Sequence, residues 1–135
     1  MKNLIPYGRQ YIDKKDLSAV QQSLRNEKIT TGAYVEKFEK KINNFLKCKY
    51  STVCNSGTSA LFIAFQSINI KKDDVVIMPS INFIASYNVA KLFGAKIFLA
   101  DVNKYTGQMS PENIFDCCKK FNLKKIKAIV LMYNG

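Results

Sequence analysis

The sequence is 135 residues long, 47% hydrophobic, and carries a formal net charge of +11. That is enough apolar material for the core of one ordinary domain, and it argues against a disordered chain. No run approaches the roughly 18 to 20 apolar residues of a membrane span, and the start, Met1-Lys2-Asn3-Leu4-Ile5-Pro6, lacks a signal-peptide core and cleavage site, so a cytoplasmic protein without a membrane partner is expected.

In chain order, an extended arm from Ile5 to Tyr11 precedes a helix over Lys14–Arg25, with Asp13 as its N-cap and Leu17, Val20 and Leu24 as one apolar stripe. A polar link, Asn26 to Thr31, leads through Gly32 to a second helix. There Tyr34, Val35, Phe38, Ile42, Phe45 and Leu46 share a face that should pack on a sheet. From Lys49 the pattern becomes regular. Strands are expected over 50–54, 75–78, 96–100 and 126–132, alternating with helices over 58–68, 82–93 and 111–121. Short apolar strands alternating with helices signal parallel βαβ units. Lys72-Asp73-Asp74 reads as a turn, Gly94 as a left-handed residue closing a helix, and Ser110-Pro111 as cap and first residue of the next. Ile126–Met132 has the composition of a central strand, yet the sequence ends at Gly135 where a parallel sheet calls for another crossover. The expectation is an incomplete sheet with an uncovered edge or face.

The four cysteines, Cys48, Cys54, Cys117 and Cys118, are accompanied by no histidine, which suits buried or half-buried thiols better than a metal site or a disulfide framework. The positive charge is scattered in lysine pairs beside loops and on polar helix faces, without interleaved aromatic residues to stack bases. Nucleic acid is therefore not an expected partner, whereas anionic small molecules suit the charge.

Chemistry concentrates at Asn55-Ser56-Gly57-Thr58-Ser59-Ala60-Leu61, where the first regular strand hands over to a helix. The first backbone N–H groups of a helix lack carbonyl partners, and the helix dipole adds partial positive charge. Gly57 lets a ligand approach the main chain closely, and Thr58 and Ser59 add hydroxyl donors, so a phosphate-bearing ligand is expected. The same residues also suit a helix cap alone, with Ser56 or Thr58 as the capping side chain. A second loop, Pro79-Ser80-Ile81-Asn82-Phe83, follows the next strand. Ligands of open parallel sheets bind outside the carboxyl ends of strands, so both loops should face one crevice. Phe83 could then lie against a planar ring anchored by its phosphate at Thr58, although an aromatic residue at a helix start also suits a core.

These segments resemble, in order, those of the DegT/DnrJ/EryC1/StrS sugar aminotransferases, fold-type-I enzymes dependent on pyridoxal 5'-phosphate. Ile29-Thr30-Thr31-Gly32 with Val35-Glu36-Lys37-Phe38-Glu39 is similar to the family's opening Thr-x-Gly … Phe-Glu segment, and Asn55–Leu61 to its phosphate loop. Asp74–Pro79 with Phe83-Ile84-Ala85-Ser86-Tyr87-Asn88 is similar to its second strand and stacking helix. Gly94–Val102 and Lys127–Val130 resemble the strands that follow. The resemblance implies an α/β fold, a mostly parallel sheet with flanking helices forming the N-terminal part of a fold-type-I large domain. On this reading residues 1–31 are an arm and first helix, and residues 32–135 an incomplete cofactor-binding domain. It implies that Gly57, Thr58 and Ser59 hold the cofactor phosphate and that Phe83 stacks on the pyridine ring. Tyr7, Glu27, Lys28, Ile29, Thr30 and Gly57 would line the site of a nucleotide-linked keto-sugar.

The family's chemistry also needs a lysine that carries the cofactor and moves a proton, and a carboxylate that keeps the pyridine nitrogen protonated. Both come from later segments of the family's chains, and no lysine here matches, so no catalytic residue is assigned and the chain alone is expected to be inactive. The implied reaction of the whole enzyme is transfer of an amino group, commonly from glutamate, to the 4-keto carbon of a nucleotide-linked deoxysugar, by a homodimer. Relatives that use the scaffold for dehydration leave that branch open. The rival from another class is a non-enzymatic phosphate- or nucleotide-binding α/β module. No Gly-Lys-Ser/Thr follows the loop and Gly-x-Gly-x-x-Gly is missing, so neither Walker-type nor dinucleotide binding is favoured.

Overall fold

Alternation along one five-residue strand decides where the helices pack. The computed structural model describes residues 8–26 and 28–133, and the chain divides into two compact units, Met1–Val53 and Cys54–Gly135. In the second unit, β1 (Val75–Pro79) lies between β2 (Lys96–Ala100) and β3 (Ala128–Ile129) in a parallel sheet of order β2-β1-β3. Val76 pairs with Ile97 and Ala128, and Ile77 with Phe98 and Ile129. Successive side chains of a strand leave opposite faces. Val76 and Met78 accordingly pack with Phe65 of α3 (Gly57–Ser67) and with Val89 and Ala90 of α4 (Ile84–Leu92), while Ile77 packs with Ala100 and with Cys117 of α5 (Pro111–Lys120). The result is three layers, α3 and α4 on one face and α5 on the other. Val76, Ile77 and Met78 are no more than 1% exposed, and burying a side chain of this size contributes about 1.5–3 kcal/mol.

Punctuation in the sequence sets the element ends. Ser110 accepts from the Asn113 amide while the Asn113 side chain accepts from the Ser110 amide, a full capping box with Pro111 behind it. Asp13 and Asp16 form the same reciprocal pair at the start of α1 (Lys14–Ser23) in the first unit. Gly94 has φ of +75°, and a Cβ there would meet Lys72 at 3.2 Å. Asp73, also left-handed, donates its amide to the Gly94 carbonyl, so the turn before β1 is tied to the turn before β2.

Several expectations need correction. Residues 50–54 form no strand. A strand requires a neighbour's ladder, and here the Val53 amide donates to Glu39 Oε1 at 3.1 Å and the Ser51 hydroxyl to the Glu39 carbonyl at 3.0 Å. The expected strand over 126–132 is confined to Ala128–Ile129. It pairs with β1 at the sheet's edge, and Ile129 and Leu131 are 43% and 53% exposed. The apolar face of α2 (Ala33–Leu46) covers no sheet in its own unit, whose described residues contain no strand. No residue of α2 is buried, and Phe45 is 86% exposed. Cys48 and Cys54 are exposed and not buried thiols, whereas Cys117 is buried and Cys118 half-buried. Among the described residues, no helix is long and apolar enough to cross a membrane, and no group of three or more His, Cys, Asp or Glu could hold a metal ion.

Candidate functional site

The start of α3 is braced by its own side chains. Ser56, extended at φ −158° and ψ 158°, is the N-cap, and its Oγ accepts from the Ser59 amide at 3.1 Å. The Ser59 hydroxyl donates to Asn55 Oδ1 at 2.7 Å, and the Ser56 and Ser59 oxygens lie 3.0 Å apart. Ser56, and not Thr58, is therefore the cap, and both donors of Ser59 are engaged within the loop. The first intrahelical bond runs from the Ala60 amide to the Ser56 carbonyl. The amides of Gly57 and Thr58 thus stand at the helix end where no intrahelical carbonyl reaches them, and the Thr58 hydroxyl stands beside them. No acidic residue occupies the first turn to compete for the positive end of the dipole. A Cβ built on Gly57 would meet nothing within 4 Å beyond its chain neighbours and its own helix backbone, so no tertiary contact in this chain demands glycine there.

Across from this turn, the chain leaves the carboxyl end of β1 and enters α4 at Phe83. Gly57, Thr58, Ala60, Leu61 and Ala64 from α3, with Phe83 and Ala85, line one open cavity of about 580 Å³. Phe83 is 69% exposed and so is not a core residue. Thr58 and Phe83, far apart in sequence, share this cavity with the apolar Ala60, Leu61 and Ala64. No ionisable side chain lines it. The lining combines backbone and hydroxyl donors able to hold an anion with an exposed aromatic side chain. That is the complement of a planar aromatic ring bearing a phosphate.

The remaining candidates are placed differently. Lys28 and Ile29 line a separate cavity of about 130 Å³ in the first unit, with Leu24, Gly32 and Val35. Thr30 is exposed. Gly32 is required there by close approach, since a Cβ would come within 2.7 Å of the Lys28 carbonyl oxygen. Tyr7 and Glu27 lie outside the described residues. Ala60 and Leu61 belong to the phosphate-loop segment and Ser86 to the Phe83–Asn88 segment, but no role is expected of them from the sequence, and Ala64 lies outside both. The signal for the three apolar residues is their shared face at i, i+1 and i+4 after the glycine turn, and for the buried Ser86 a serine three residues into a helix is a weak one.

Residues 10–132 match the DegT/DnrJ/EryC1/StrS aminotransferase family. The chain is 35% identical over 99 residues to a UDP-4-amino-4,6-dideoxy-N-acetyl-beta-L-altrosamine transaminase of Campylobacter jejuni, covering 73% of this chain and 26% of that protein. Among solved structures, it superposes with a TM-score of 0.81 at 28% identity on the Helicobacter pylori aminotransferase involved in the biosynthesis of pseudoaminic acid, covering 93% of this chain and 33% of that one. It superposes with a TM-score of 0.77 at 25% identity on a Streptococcus pneumoniae protein assigned as a sugar aminotransferase and solved in its PLP form, covering 84% and 29%. The chain spans about a quarter of the length of the curated relative it matches. The parallel sheet with flanking helices is the corresponding part of a fold-type-I domain, and with nearly its whole described length matched, the chain belongs to the DegT/DnrJ/EryC1/StrS aminotransferase family.

Proposed function

We propose that this chain forms the phosphate-and-ring-face portion of the pyridoxal 5'-phosphate site of an enzyme that transfers an amino group, with glutamate as donor, to the 4-keto carbon of a nucleotide-linked deoxysugar. The observation that carries the reading is the one cavity lined by both the start of α3 and the exposed side chain of Phe83. In it the Gly57 and Thr58 amides and the Thr58 hydroxyl take the phosphate, with Ser59 bracing the turn from behind. Phe83 offers its face to the pyridine ring, and Ala60, Leu61 and Ala64 exclude water from beneath it. The residues present fit the phosphate and one ring face of the group. Bound there, pyridoxal phosphate supplies the electron sink and the amino-group carrier that no side chain of the cavity provides. The lining holds no group able to move a proton or to keep a ring nitrogen protonated. The 135-residue chain by itself is accordingly inactive in this proposal.

The relatives' substrates suggest the rest. A sugar nucleotide would be the substrate, with Tyr7, Glu27, Lys28, Ile29 and Thr30 of the first unit and, separately, Gly57 of the second as its candidate contacts; residues 32–135 would belong to the large domain with residues 1–31 as its arm, and the working enzyme would be a cytoplasmic homodimer. The test uses the protein as its gene encodes it, including any sequence after Gly135. Cofactor binding is followed by absorbance and fixed with borohydride, and product mass is read after incubation with glutamate and a UDP-linked 4-keto-6-deoxy sugar. We expect an aminated product, and Thr58→Val and Phe83→Ala should each weaken cofactor binding about tenfold, which corresponds to ~1.4 kcal/mol. Cofactor affinity unchanged in both variants would overturn the site assignment. A product that has lost water without gaining nitrogen would replace amination with dehydration.

A further inference from the structure

Helices α1, α3 and α5 begin with a side chain that caps them and α2 begins after Gly32 without one, whereas α4 has Phe83 at the N-cap position, extended at φ −69° and ψ 134°, also with no capping side-chain bond. An aromatic residue is among the poorer choices for that position, where serine, threonine, aspartate or asparagine would satisfy an orphan amide. The ring is also largely exposed, so neither capping nor burial explains what fixes it.

Behind it sits Ser86, 3% exposed and the one buried polar residue of the described core. Its Oγ accepts from the Asn82 side-chain amide at 2.6 Å and lies 3.2 Å from the Phe83 carbonyl oxygen, to which its single proton is donated. Met78 Sδ, at 3.9 Å, is the poorer acceptor. One buried hydroxyl therefore grips the residue before the N-cap by its side chain and the N-cap residue by its main chain. The usual cap acts from the residue just before the helix inward, and Ser86 acts from the third position outward.

Resting on the cofactor-site reading above, we infer that Ser86 is the positioning residue for Phe83. By holding Asn82 and the Phe83 carbonyl, it sets the backbone from which the ring faces the Thr58 end of the cavity. It touches neither cofactor nor substrate. Its burial against β1 makes the sheet the reference against which the ring is held.

The experiment is a double-substitution cycle on the full gene-encoded protein, with the dissociation constant for pyridoxal 5'-phosphate, the melting temperature, and amide hydrogen exchange over residues 80–86 as readouts. Ser86→Ala should weaken cofactor affinity five- to tenfold and speed exchange over 80–86. Phe83→Ala should weaken affinity at least as much. Because Ser86 acts through the ring, adding Ser86→Ala to Phe83→Ala should cost no further affinity, while its effect on melting persists. A serine that only stabilises the fold would give losses of affinity that multiply in the double variant, which overturns the inference. So does wild-type affinity in Ser86→Ala alongside a weakened Phe83→Ala, and in that case the cofactor site stands and only the positioning role falls. Unchanged affinity in both Phe83→Ala and Thr58→Val instead removes the cofactor-site reading and this inference with it. Should Ser86→Ala fail to fold, Asn82→Ala, which leaves the hydroxyl's bond to Phe83 intact, is expected to give the same pattern at about half the fold-change.

Discussion

Gly57→Ala separates a glycine kept for a ligand from a glycine kept for the fold. Gly57 is the first residue of α3, it does not have a left-handed backbone, and an added Cβ would meet no atom of this chain within 4 Å beyond its neighbours and its own helix backbone. Where the native backbone suits alanine, the exchange stabilises by about 0.4–1 kcal/mol, chiefly by restricting the unfolded chain. For a domain of this size, that raises the melting temperature by roughly 2–6 °C. A phosphate approaching the Gly57 and Thr58 amides gains charge-assisted hydrogen bonds, each worth about 1.5–3 kcal/mol. A methyl group on the approach path that lengthens one of them should weaken binding by roughly ten- to a hundredfold. The assay pairs thermal unfolding in the absence of ligand with equilibrium dialysis against pyridoxal 5'-phosphate, using phosphate-free pyridoxal as the control. Higher or unchanged melting with selective loss of the phosphorylated ligand is the expected result. A lower melting temperature with unchanged affinity would refute the reasoning, because it would mean that Gly57 serves the turn and not an anion.

The opposite behaviour is expected at Gly94, where φ of +75° and the nearby Lys72 make alanine strained twice over. Gly94→Ala should lose at least about 1–2 kcal/mol in denaturant unfolding without changing cofactor affinity. Ile77→Ala, at the centre of the sheet and fully buried, should lose about 2–5 kcal/mol by the same measurement. Burial pushes the Cys117 thiol above its ordinary value of 9.0, with Cys118 adding to the effect and Lys120 opposing it. The folded state therefore holds this proton more tightly than the unfolded state. The associated stability is complete below pH 9 and declines as pH rises through the raised value, and Cys117→Ala should flatten that alkaline decline in a pH series of unfolding curves. In the native protein, iodoacetamide should label the exposed Cys48 and Cys54 well before Cys117.

What the sequence made legible was whatever a few neighbouring residues decide together. The Lys96–Ala100 strand, the Ser110-Pro111 helix start, the Asp13 cap and the left-handed Gly94 all follow from local chemistry, and the structure has them where that chemistry places them. Pairing was not legible. Residues 50–54 have strand composition, but a ladder needs a partner, and Glu39 takes the Val53 amide instead. The α2 stripe announces a face without naming what covers it. Within the candidate site, the anion-binding turn could be read from Gly57 and its neighbours. That Thr58 and Phe83 share one cavity depends on α3 and α4 lying on the same face of the sheet, which only the tertiary packing of Phe65, Val76 and Val89 establishes.

Phe83 is also where the two kinds of rule conflict, and the conflict can be measured. As an N-cap it forgoes the ~1 kcal/mol that serine would contribute. As a hydrophobic residue it gives little in return. With 69% of its surface exposed, about a third of the ~1.5–3 kcal/mol of a fully buried phenylalanine remains, roughly 0.5–1 kcal/mol. The two nearly cancel, and the extended backbone at this position already suits a serine cap. Phe83→Ser should therefore leave the unfolding free energy within about 0.5 kcal/mol of the parent, whereas Phe65→Ala, at a ring 4% exposed, should lose about 3–5 kcal/mol. Phe83→Ser should meanwhile weaken binding of pyridoxal 5'-phosphate about as much as Phe83→Ala. A loss of 2 kcal/mol or more on Phe83→Ser would show that the ring supports the fold after all. Near-neutral stability with lost affinity would mean that a position able to hold a better cap carries an aromatic ring for the ligand it faces.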